Sequence, residues 1–72
     1  MFALALVALA SLNVNKTPVD SLETLPGVGP VIALRIDVER KEKPFTTCED
    51  VQSRVRGIGE KKIAKICPEL EF

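Results

Sequence analysis

Histidine is missing from this chain altogether, and so are tryptophan and tyrosine. Without an imidazole, no serine or cysteine nucleophile has its usual activating base. The two cysteines, Cys48 and Cys67, make a poor zinc site without it. The acidic residues are scattered and read as helix caps and surface charge. No catalytic constellation results, and the expectation is a protein that is not an enzyme, with no metal, no cofactor and no small-molecule substrate. Net charge is missing as well: ten Lys and Arg offset ten Asp and Glu. That excludes a protein that coats nucleic acid by its total charge. A length of 72 residues leaves no room for a substrate domain beside a cofactor domain and allows only a modest core. The longest uncharged apolar stretch, Met1–Ala10, falls short of the roughly 20 residues a membrane-spanning helix needs.

What is present is a repeat. Gly27-Val28-Gly29 and Gly57-Ile58-Gly59 stand thirty residues apart. Sliding the chain on itself by that distance also superposes Thr17 on Thr47, Asp20 on Asp50, Leu25 on Val55, Arg35 on Lys65 and Ile36 on Ile66. Caps, apolar anchors, glycine turns and basic helix positions fall into register together. A supersecondary unit repeated in this way usually buries a face against its own copy.

The local signals predict an all-α domain over residues 12–72 of about four to five short helices, in two pseudo-two-fold-related helical hairpins. Leu12–Asn15 reads as extended or turn-like, with no convincing strand pattern anywhere. Thr17 is expected to cap a first helix reaching about Leu25, with Pro18 at its first position and Asp20 completing a capping box. A second helix begins near Pro30, carries Ala33 and Ile36 inward and ends near Lys41. Phe45 is a core plug after the Lys43-Pro44 break. Thr47 caps a third helix, with Val51 and Val55 inside. A fourth runs from Glu60 to about Cys67, with Ile63 and Ile66 inward, and Pro68 stops it.

Glycine turns that lead straight into helices suit phosphate. Glycine lets the backbone turn sharply and come close to a ligand. The first amides of the helix lack intrahelical partners, at the positive end of its dipole. Arg54, Arg56, Lys61, Lys62 and Lys65 surround the second turn, with only Glu60 against them. Two such turns held side by side would meet phosphates on both strands of a duplex across the minor groove, independently of sequence. The candidate DNA-binding residues are Gly27, Val28, Gly29, Val31, Arg56, Gly57, Ile58, Gly59, Lys61, Lys62 and Lys65. Arg35, Arg40 and Lys41 read as surface residues with weak pairing to neighbouring acids, and Asn13 and Asn15 as turn residues.

Two features bear on compartment. Residues 1–11 form a separate apolar segment in which Ala8-Leu9-Ala10 before Ser11 has the small-x-small form of a signal-peptidase site, though no basic region precedes it. The competing reading is an added helix of the domain, packed on Ile32 and Leu34. Cys48 and Cys67 lie symmetrically about Gly57-Ile58, so an antiparallel hairpin would bring them together. A Cys48–Cys67 disulfide would staple that unit and fit an oxidising compartment. Two separate buried thiols are the alternative.

Asn13-Val14-Asn15, Leu22-Glu-Thr-Leu-Pro-Gly-Val-Gly-Pro30, Ala33, Ile36 and Arg40 resemble the helix-hairpin-helix domain of ComEA-type competence proteins. So do Pro44-Phe45, Glu49-Asp50 and Val55-Arg-Gly-Ile-Gly-Glu-Lys-Lys62. The likeness covers about residues 12–67. It implies non-specific double-stranded DNA binding outside the inner membrane, in DNA uptake during transformation and alongside other DNA-uptake proteins. The implied DNA-facing residues are Gly27, Val28, Gly29, Gly57, Ile58, Gly59, Lys61 and Lys62. Ile32 and Leu34 stand where that family often has Lys and Gln, which makes the second hairpin the stronger phosphate binder. Exported and secretion-system proteins carry similar repeats, so a protein-interaction module is the alternative function.

Overall fold

The computed structural model describes residues 11–72. Both readings of Met1–Ala10, as an export signal or as a helix packed on Ile32 and Leu34, lie outside the described residues. In chain order come β1 (Leu12–Asn13), α1 (Val19–Leu22), α2 (Pro30–Glu42), α3 (Cys48–Arg54), α4 (Glu60–Ile66), a 3-10 turn (Cys67–Glu69) and β2 (Leu70–Glu71). The all-α tandem hairpin is therefore the fold, with α1 and α2 as one unit and α3 and α4 as the other.

The repeat anchors form the core. Leu25 and Val55, Val28 and Ile58, and Ile36 and Ile66 are all buried, and Phe45 and Leu22 fill the space between the units. Burying each such side chain contributes about 1.5–3 kcal/mol. Phe45 is fixed from both ends. Its backbone N–H donates to Asn15 Oδ1 at 2.7 Å, and its carbonyl accepts from Asn15 Nδ2 at 2.9 Å. Asn13 Oδ1 in turn accepts from the Asn15 amide at 2.9 Å. Both asparagines are thus turn residues that tie the start of the domain to the inter-repeat linker.

Three expectations are corrected here. A pair of strands exists: β1 and β2 run parallel, with Leu12 opposite Leu70. Two residues are too few to show alternation, and their pairing joins opposite ends of the chain. The first helix is shorter than predicted, and Thr17 does not cap it. Pro18 holds the N-cap position without a side-chain bond, while the Thr17 amide donates to the Asn13 carbonyl at 2.8 Å and its own carbonyl accepts from Arg40. Thr17 therefore belongs to the preceding turn. Thr47 does cap α3, accepting from the Asp50 amide at 3.0 Å.

The third correction concerns Arg40, whose side chain is largely covered, only 11% exposed. Its guanidinium donates to the Val14 carbonyl at 3.0 Å and the Thr17 carbonyl at 2.6 Å, and pairs with Asp37 at 2.8 Å. Cys48 and Cys67 are joined in a disulfide with Cα atoms 5.9 Å apart. It links the start of α3 to the residue that follows α4.

Candidate nucleic-acid interface

The two hairpins have the same backbone. In each, a β-turn closes with a hydrogen bond from the hairpin's central amide, Val28 to the Leu25 carbonyl at 3.0 Å and Ile58 to the Val55 carbonyl at 3.2 Å. The third residue of each turn has positive φ, 79° at Gly27 and 103° at Gly57. Side chains rarely adopt that region, and a type II turn reserves the position for glycine. Gly29 and Gly59 then serve as extended N-caps of α2 and α4. Their carbonyls accept the first helical bonds, from Ala33 and Ile63, both at 3.0 Å. A Cβ on Gly29 or Gly59 would meet nothing within 4 Å. The hairpin tips therefore open to solvent, and the amides behind them lack intrahelical partners. Pro30 removes one donor from the first hairpin.

Each hairpin is seated against the second helix of the other unit. A Cβ on Gly27 would lie 3.0 Å from Lys62 Cε, and one on Gly57 would lie 3.2 Å from Ile32 Cδ1. Residues 32 and 62 are equivalent in the repeat, so the exchange is reciprocal, as a pseudo-two-fold axis requires. Arg35 strengthens one side of it by donating to the Arg56 carbonyl at 3.0 Å. The loops are consequently held as a pair.

The predicted site residues separate under this geometry. Val28 and Ile58 are buried, so they offer only backbone to a ligand, and their side chains anchor the tips from below. Gly27, Gly29, Gly57 and Gly59 are exposed, as are Val31, Arg56, Lys61 and Lys65, while Lys62 is half-buried across Gly27. Arg54 does not belong to the cluster around the second hairpin. It turns back over the Phe45 ring, 4.4 Å from its centre. Its guanidinium donates to the Glu39 carbonyl at 2.7 Å and the Lys43 carbonyl at 2.6 Å, and pairs with Asp50 at 3.0 Å. A cation at the C-terminal end of α2 is favoured by the helix dipole. The Asp50–Arg54 spacing of four was the sequence signal for this.

Arg35 and Pro26 were not among the candidates. Arg35 is the mate of Lys65, and that match was the available signal. The four ion pairs among the described residues all involve Asp37, Glu39 or Asp50 with Arg40, Lys41 or Arg54. Asp37 sits below the usual carboxylate range because it accepts hydrogen bonds from Lys41 and Arg40. No group of His, Cys, Asp or Glu able to hold a metal occurs among the described residues.

A family model described as the helix-hairpin-helix motif matches residues 7–71. No curated protein and no solved structure matches the chain. With nearly its whole length covered, the chain belongs to the helix-hairpin-helix family, whose motif supports non-specific nucleic-acid binding.

Proposed function

For this helix-hairpin-helix protein we propose sequence-independent binding of double-stranded DNA, through the hairpin amides and the lysines of α4. The observation that carries the reading is the pair of open glycine hairpins seated against each other's helices. Sequence independence follows because phosphate contacts position a protein without reading bases. With about two to four phosphates neutralised, a monomer binds weakly and log K falls with log salt at about −0.9 per phosphate. Fluorescence anisotropy with unrelated duplexes at two salt concentrations tests this. Equal affinities and a steep salt slope are expected, and Lys61→Glu with Lys62→Glu removes most of the binding. A salt-insensitive or sequence-dependent signal contradicts it.

The biological setting we propose is DNA uptake during competence, in an extracytoplasmic compartment and beside other DNA-uptake proteins. The Cys48–Cys67 disulfide supports an oxidising location. The resemblance to ComEA-type domains supports the process. Loss of transformation on deleting the gene, with export intact in a tagged copy, is the corresponding test.

A protein-interaction module is the second reading, and one observation favours it. Val31, Leu34 and Val38 are exposed along one face of α2, where apolar side chains suit a protein partner. Salt-tolerant association abolished by Leu34→Asp distinguishes it from phosphate binding.

A further inference from the structure

The two sides of the pseudo-two-fold axis have the same backbone and different side chains. On one side, Pro26 and Gly27 of the first hairpin face Lys61, Lys62 and Lys65 of α4 across a cleft of about 160 Å³. No acidic residue lines it. None of the three lysines makes an ion pair with a described residue. Three lysines that line one cleft repel one another, and an anion there turns that repulsion into attraction. The missing Cβ of Gly27 lets the Lys62 stem lie across the hairpin, so its charge is delivered by the other repeat.

The equivalent place on the other side carries different side chains, with the exposed Arg56 at the position of Pro26. Val31, Ile32 and Arg35 stand in for Lys61, Lys62 and Lys65 there. Ile32 lies over Gly57 as the Lys62 stem lies over Gly27, and the Arg35 guanidinium donates to the Arg56 carbonyl. The space alongside is lined by the aliphatic Val31, Leu34 and Val38 together with Arg35, Glu39, Arg54 and Arg56.

We propose that the Pro26–Gly27/α4 cleft is a phosphate seat built jointly by the two repeats, which takes a backbone phosphate of one nucleic-acid strand and whose Lys61 and Lys62 are replaced by apolar residues across the axis. The inference rests on the nucleic-acid reading above and deepens it: three lysines hold one strand, and no lysine stands at the equivalent positions across the axis. Single strands therefore use the seat as duplexes do.

The test compares Lys62→Met/Lys65→Met with the wild-type protein in anisotropy titrations of a short oligothymidine and a short duplex. Methionine keeps the stem over Gly27 and removes only charge. Affinity for both ligands falls on the order of tenfold, and the duplex salt slope becomes shallower by about 0.9, the value for one phosphate. Ile32→Lys installs the missing ammonium on the other side and raises duplex affinity more than single-strand affinity. Unchanged affinity and slope in the double variant overturn the seat. So does an equal loss in Lys16→Met/Lys43→Met, which removes exposed charge outside the cleft. Inorganic pyrophosphate, followed by the amide resonances of Gly27, Lys62 and Lys65, separates the two levels. If those amides respond while wild-type protein binds neither oligonucleotide, the anion seat stands and the nucleic-acid reading falls. If wild-type protein binds DNA but pyrophosphate leaves the amides unmoved and the double variant binds normally, the seat falls alone.

Discussion

The two hairpin units share a backbone but close their open ends differently. In the second, the start of α3 and the residue after α4 are joined covalently by Cys48–Cys67. In the first, the equivalent positions are Pro18 and Asp37, and no bond can join them. Arg40 takes over, reaching from α2 to the carbonyls of Val14 and Thr17 while Asp37 holds its guanidinium. One unit is locked by chain entropy and the other by a polar clasp. A domain this small has too little core to leave either end loose. The same division runs through the surface, where the covalently closed unit carries Lys61, Lys62 and Lys65 of α4 and the clasped unit carries the exposed aliphatics Val31, Leu34 and Val38.

Breaking the covalent closure has the largest expected effect. Cys48→Ser/Cys67→Ser should lose about 3 kcal/mol in urea denaturation, the chain-entropy value for a loop of this size. Breaking the clasp comes next. Arg40→Met leaves two carbonyls without their charged donor and should cost about 2 kcal/mol. If the clasp matters far less than the disulfide, the first unit is held by its core alone.

The hairpin glycines give a finer comparison. Alanine is strained at positive φ in either hairpin and should cost about 1–2 kcal/mol. Gly57→Ala should be the worse, because it presses on the branched Ile32, whereas the Lys62 stem at Gly27 can shift. Equal costs would show that backbone strain alone decides. The caps differ more plainly: Thr47→Ala should cost about 1 kcal/mol and Thr17→Ala much less, since only Thr47 accepts a helix amide.

The smallest effect is on acid stability. Lys41 and Arg40 hold the Asp37 carboxyl below its ordinary value of 3.8. Its contribution is complete above that value and is lost as pH falls through the lower folded one. Asp37→Asn should flatten the acid limb of a thermal-stability profile, and an unchanged limb would remove Asp37 from the clasp's account.

The repeat made most of the fold legible. Matched glycines, the Thr47 cap and the anchors at positions 25, 28 and 36 with their mates located the hairpins and the core. The disulfide followed from symmetry about one turn. What escaped was long-range or shared between roles. The β1–β2 pair is too short to carry a period. Thr17 has a cap's sequence, but the preceding turn and Arg40 use its backbone. Arg54 and Arg40 look like surface charge until the carbonyls they reach are placed beside them. Of the candidate site, the glycine turns and the helix that carries Lys61, Lys62 and Lys65 were readable as structure. The crossing of Lys62 onto the first hairpin was not, because it depends on how the two copies dock.

Amide chemical-shift mapping with a short duplex tests the paired-hairpin claim most directly. The account predicts that resonances of residues 27–32 and 57–62 move together, with Lys65 among them. Movement confined to the outer face of α2 from Leu34 to Val38, with both glycine hairpins unmoved, would contradict it.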